Sequence, residues 1–176
     1  MGNIYNAVRQ INSRTSSDEL EDAIITGMTA LNLAEYTGFL IRRAQQVHAS
    51  LWLREASAEI TSVQFGALNL LQLHPGIDQR TLGEHLQLDR STIADVSRRL
   101  QHRGYIERDR DESDRRRNIL RLTELGTAVL TEMQPRARRV NQILVSELSE
   151  RDRTELHRLL NILLASPQLT KLAGPE

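Results

Sequence analysis

Asp78 and Asp89 each stand immediately before a short run with helical apolar spacing, and only Gln87-Leu88 lies between the two runs. An aspartate so placed accepts hydrogen bonds from the first unpaired N–H groups of a helix. The chain is thereby committed to two short helices across a tight turn. The spacing predicts that the first buries Leu82 and Leu86, and that the second buries Ile93, Val96 and Leu100 before Gly104 stops it. That pair reads as a helix-turn-helix.

The flanks decide what is built on it. Upstream, Thr61 with Gln64 is a capping box, and Phe65, Leu68 and Leu71 follow until His74-Pro75-Gly76 ends the run. Further upstream, Leu33, Tyr36, Leu40, Ala44, Val47 and Leu51 recur at three- and four-residue intervals, which predicts a long amphipathic helix over 33–51. Downstream, YIERDRD and NILRLT are β-favouring runs around a polar tip over 112–117, the pattern of a β-hairpin. Thr123 then caps a helix with Leu125, Val129, Met133, Val140, Leu144 and Leu148 as its stripe, and Pro135 is expected to kink it or to begin a new segment. Ser149 and Asp152 restart a last helix through Leu156, Leu159, Leu160 and Leu163, ending before Pro167.

The fold expected is mainly α with a small β-hairpin wing. A winged helix-turn-helix occupies 61–123, helical segments over 33–60 and 124–168 form a dimerisation region, and 1–32 is a partly ordered extension. A length of 176 residues suits one compact unit. No apolar run is long enough to span a bilayer, and the polar start MGNIYNAVRQINSRTSSDELED carries no hydrophobic signal segment, so a cytoplasmic protein without membrane contact is expected.

Charge narrows the function. The chain has 23 basic and 23 acidic side chains, so a uniformly basic footprint is missing and distribution must carry any nucleic-acid signal. Lys171 is the only lysine, and the arginines gather at Arg98, Arg99, Arg103, Arg108, Arg110, Arg115, Arg116, Arg117 and Arg121. Guanidinium suits phosphate recognition. In the winged order the helix after Asp89 enters the major groove, and the hairpin tip reaches the backbone or the minor groove, where negative potential attracts arginine. Asp114, two residues before Arg116, can hold that guanidinium in a bidentate pair. The plainer alternative is a solvated hairpin loop.

With no cysteine, disulfides, thiolate metal sites and thiol redox sensing are excluded. The five histidines, His48, His74, His85, His102 and His157, are scattered without metal-ligand spacing, and no nucleophile motif accompanies them. A protein that is not an enzyme and needs no cofactor is expected. The aromatics Tyr36, Phe39, Trp52 and Phe65 do cluster in the first long helix and the start of the next, with Arg42, Arg43, Gln45, Gln46 and His48 among them. On a helical wheel His48 and Trp52 share a face, while Arg42 points well away. An apolar pocket with one arginine suits a flat aromatic acid; the alternative is a surface arginine pair beside core aromatics.

DESDRRRNILRLTELG, residues 111–126, resembles the wing signature of the MarR family of transcription regulators: Asp-x-Arg, an alternating run, Leu-Thr and a glycine three residues on. The likeness continues upstream through DQRTLGEHLQLDRSTIADVSRRLQHRGYIER. It implies a homodimer on a pseudo-palindromic double-stranded operator, with Arg80, Arg90, Ser91, Thr92, Asp95, Arg98 and Arg99 toward DNA and Asp114, Arg115 and Arg116 at the wing. Many members carry arginine where this chain has Asp95, which can either accept from a cytosine amino group or pair with Arg98 or Arg99. GFLIRRAQQVHASLW is also similar to the first helix of the branch answering aromatic carboxylates such as protocatechuate and hydroxynicotinate. That likeness implies that Arg42 holds the carboxylate and His48 lies in the pocket; Tyr36, Phe39, Gln45, Trp52 and Phe65, enriched around them in the sequence, are the candidate companions. The implied function is a repressor released by a small aromatic carboxylate. The alternatives are a metal-responsive or other-ligand regulator of the same family, or a winged-helix protein-interaction module.

Overall fold

Side-chain caps set the starts of five helices in the computed structural model, which describes residues 31–110 and 117–166. Among these residues the order is α1 (Thr37–Glu55), α2 (Ser62–Leu73), α3 (Gln79–Leu86), α4 (Arg90–His102), β1 (Ile106–Arg110), β2 (Asn118–Leu122), α5 (Glu124–Leu144) and α6 (Glu150–Leu164). The caps read from sequence are in place. Thr61 and Gln64 exchange both capping-box hydrogen bonds, at 3.1 and 3.0 Å. Asp78, Asp89, Thr123 and Ser149 each accept from the first turn of the helix they precede.

Two boundaries and one helical phase differ from expectation. The first helix starts at Thr37, not Leu33, because Asn32 competes for the backbone: its carbonyl accepts from the Ala34 N–H at 3.2 Å and its amide donates to Glu35 at 2.9 Å. It also runs four residues past Leu51, to Glu55. In α5 the buried side is Gly126, Leu130, Met133 and Val140, so Leu125 and Leu144 of the expected stripe are exposed and Leu148 lies past the helix end. The helix continues through Pro135 without starting a new segment there.

The described chain divides into two units at the Val47–His48 step, where length alone suggested one. Both apolar cores lie in the second. Ala67, Leu68, Leu71, Leu82, Ile93, Leu100, Leu120 and Leu130 form the centre of the larger, which binds α2, α3, α4, the hairpin and α5 together. Leu51, Trp52, Ala56, Ile60, Met133 and Val140 form the smaller. The Trp52 indole N–H donates to the Ile60 carbonyl at 2.6 Å, a buried anchor for the loop leading into α2.

The strands pair antiparallel from Ile106 opposite Leu122 to Arg110 opposite Asn118. On its other side β2 meets the segment before α3, with Leu120 N–H donating to the Ile77 carbonyl at 3.0 Å. Between α3 and α4 the turn passes through Gln87 in the left-handed region, φ 52°, and closes with Leu88 N–H on the Gly83 carbonyl at 2.9 Å. Gly83 leaves no spare room, since a Cβ there would sit 3.1 Å from Ile93 of the second helix. Among the described residues no helix is long and apolar enough to cross a membrane.

Candidate nucleic-acid interface and effector residues

Helix α4 buries Ile93, Val96, Ser97 and Leu100, so its 3.6-residue period turns Ser91, Asp95 and Arg98 outward together, with Arg99 beside them. Arg90 is exposed at its first turn. Of the two roles the sequence left open for Asp95, the pairing is present in the free chain: its carboxylate is paired with both arginines, with Arg98 Nη2 on one oxygen and Arg99 Nε 2.7 Å from the other. Arg80, on the exposed side of α3, is paired with Glu84 at 2.8 Å.

The two hydroxyls assigned to DNA are engaged locally. Ser91 and Thr92 each donate to the Asp89 carboxylate at 2.5 Å, and their backbone N–H groups reach the same carboxylate at 2.9 Å. These bonds, the Ser91 hydroxyl first, hold the Asp89 carboxyl well below the usual range. The N-terminus of α4 is therefore occupied by its own carboxylate, and either hydroxyl must turn away from Asp89 to donate to a phosphate. The spacing Asp-x-Ser-Thr carried that signal.

At the base of the wing Asp78 does three things at once. It caps α3, accepts the Thr81 hydroxyl at 2.9 Å, and takes Arg117 Nη2 at 2.7 Å. Next to it, Arg108 of β1 donates to Gln79 at 2.5 Å. No local pattern in the sequence announces these links, whose partners are 39 and 29 residues apart. Burial pushes the Asp78 carboxyl up, but the Arg117 and Thr81 hydrogen bonds together outweigh it and hold it at about 2, below its ordinary 3.8. Because the folded value is depressed, this stabilisation is complete above pH 3.8 and is lost as pH falls toward 2. Asp78→Ala is expected to cost about 2 kcal/mol at pH 5, from cap and ion-pair loss together, and most of the gap to wild type closes at pH 2. Urea unfolding at the two pH values measures it; an equal gap at both contradicts the assignment.

The effector residues fall in both units. In the first, the Arg42 and Arg43 guanidiniums lie over the Phe39 ring at 5.1 and 5.8 Å, and Tyr36, Arg42 and Gln45 are exposed. In the second, His48, Trp52 and Phe65 form a ring-to-ring series with centroids 6.1 and 5.3 Å apart. Trp52 is buried, with its N–H committed to Ile60. Asp114, Arg115 and Arg116 of the wing tip, and residues 1–30 of the expected 1–32 extension, lie outside the described residues.

Residues 60–117 match the MarR family. The HTH-type transcriptional repressor NicR of Pseudomonas putida is 31% identical over 141 residues, 80% of this chain and 89% of the relative. The crystal structure of the PcaV transcriptional regulator from Streptomyces coelicolor, in complex with its natural ligand, is 42% identical with a TM-score of 0.77, over 79% of this chain and 99% of that one. The structure of Bordetella bronchiseptica BpsR, concerned with regulation of its DNA binding by 6-hydroxynicotinic acid, is 28% identical with a TM-score of 0.69, over 73% and 98% of the two chains.

Proposed function

The chain belongs to the MarR family of transcription regulators, and on that footing we propose that it is a repressor that binds a pseudo-palindromic operator as a homodimer and is released by a small aromatic carboxylate. Its likeness to transcriptional regulators supports a role that is not enzymatic. The observation that carries the DNA-binding part is the exposed arginine face of α4 beside a hairpin braced through Asp78 and Gln79.

Helix α6 supports the homodimer. None of its 15 residues is buried, and Leu156, Leu159, Leu160, Ile162, Leu163 and Leu164 are exposed. A helix of that length gains its stability from a packed apolar face rather than from propensity. A second copy supplies the cover, and two copies place two α4 helices about 34–36 Å apart on successive major grooves.

For the effector, the relatives support an aromatic acid: BpsR is described with 6-hydroxynicotinic acid, and the first helix resembles that branch. By that resemblance Arg42 is the residue proposed to pair with the carboxylate, and His48 is proposed as an effector residue. Release is a population shift, in which the ligand favours a lobe spacing that no longer fits the operator, a coupling of about 1–3 kcal/mol in comparable systems. Adding 6-hydroxynicotinate or protocatechuate to a complex of the chain with duplex enriched from a random pool is expected to free the DNA. Full retention of the complex at saturating concentrations of both acids removes the effector reading and leaves DNA binding standing.

A further inference from the structure

We propose that Asp95 sets the DNA selectivity of α4 by clamping Arg98 and Arg99, an inference that rests on the DNA-binding reading above. Side chains on a helix lean toward its N-terminus, so guanidiniums at the next turn can both reach back to one carboxylate. They do so here, with Arg98 Nη2 and Arg99 Nε on opposite oxygens of Asp95. The arginines remain 75% and 66% exposed and Asp95 36%, so the cluster faces solvent where exposed ion pairs contribute little to folding. Its geometry still has a consequence for recognition.

Arg99 forms an ion pair with Asp95 through its Nε side, 2.7 Å away, so its Nη1 and Nη2 donors, the pair that fits guanine O6 and N7, are not committed to that carboxylate. Arg98 is held through Nη2 and keeps its Nη1 donors. Both heads are drawn toward the N-terminal half of α4, the part that meets base edges. The carboxylate also cancels one of the two positive charges on this face and repels phosphate. Attraction to any duplex falls while the orientation of the donors is kept, so selectivity rises at the expense of indiscriminate binding. The Ser91 and Thr92 hydroxyls, committed to Asp89, do not offer the same donors without rearranging.

The experiment compares the full chain with D95N in rounds of selection from a pool of random-sequence duplexes, and measures the affinity of each for the unselected pool across salt. D95N is expected to bind the unselected pool more tightly, with a salt slope steeper by about 0.9 for each phosphate a released guanidinium takes up. Its enriched pool is expected to lose about 5- to 150-fold discrimination at guanines read by the arginines. In an R98Q/R99Q background D95N changes neither quantity. Identical slopes and identical enriched sequences overturn the clamp. So does a D95N that keeps the wild-type slope and loses selection at a single cytosine, because Asp95 then reads a base itself. If the wild-type chain enriches no duplex at all, the DNA-binding reading fails and the clamp falls with it, an outcome distinct from the other two.

Discussion

Gly126→Ala is expected to be the most damaging single-methyl change in the described chain. A Cβ at that position would lie 1.9 Å from the Tyr105 carbonyl oxygen and 2.9 Å from its carbon, and both obstacles are backbone. The start of α5 has nowhere to retreat. Thr123 accepts from Gly126 N–H at 3.0 Å, donates its own N–H to the Tyr105 carbonyl at 3.1 Å, and gives its hydroxyl to the Gly104 carbonyl at 2.7 Å. Shifting the helix to admit the methyl breaks that cap as well as the packing of Leu130 and Met133. Overpacking of about 1–3 kcal/mol and a cap worth about 1 kcal/mol together put the loss near 3 kcal/mol. For a chain of this size that lowers Tm by about 6–12 °C. A melting curve coincident with wild type would refute the close approach.

Arg42→Gln is expected to separate DNA binding from the response to ligand. If the guanidinium takes the carboxylate, its loss removes a charge-assisted pair worth about 2 kcal/mol or more, so release by 6-hydroxynicotinate requires at least about 30-fold more ligand. Operator affinity stays at the wild-type value. Arg43→Gln, one residue on, is the control and keeps the wild-type response. Fluorescence anisotropy of labelled operator during ligand titration reads both. Equal sensitivity of Arg42→Gln and wild type assigns the carboxylate elsewhere.

What could be read directly from the sequence was local chemistry. Asp78, Asp89, Thr61, Thr123 and Ser149 each declare a helix start through a side-chain oxygen acting within three residues, and the structure has every one. The strands on either side of the wing tip were equally plain from their alternation. The start of α1 was not, because a periodic stripe including Leu33 and Tyr36 says nothing of the Asn32 side chain that holds residues 32–35 in a turn. In α5 the expected stripe holds at Met133 and Val140 but not at Leu125, for a related reason. A glycine has no hydropathy to place it, yet the contact of Gly126 with Tyr105 decides which side of the helix faces the core.

At the proposed interface, the pairing of Asp95 with Arg98 and Arg99 follows from three- and four-residue helical spacing and was among the sequence alternatives. The Arg117–Asp78 link joins distant parts of the chain and becomes visible only when β2 is laid beside the segment that enters α3. The engagement of Ser91 and Thr92 by Asp89 is local, three residues or fewer apart, and stands beside the role toward DNA that the resemblance implies for both hydroxyls.

Hydroxyl-radical footprinting of an enriched duplex with the full-length chain puts the central claim to its most direct test. Two paired α4 helices and their wings predict two equal protections on one face of the duplex, centred one helical turn apart, that fade together as salt is raised. A single protected half-site, or protection indifferent to salt, contradicts the account.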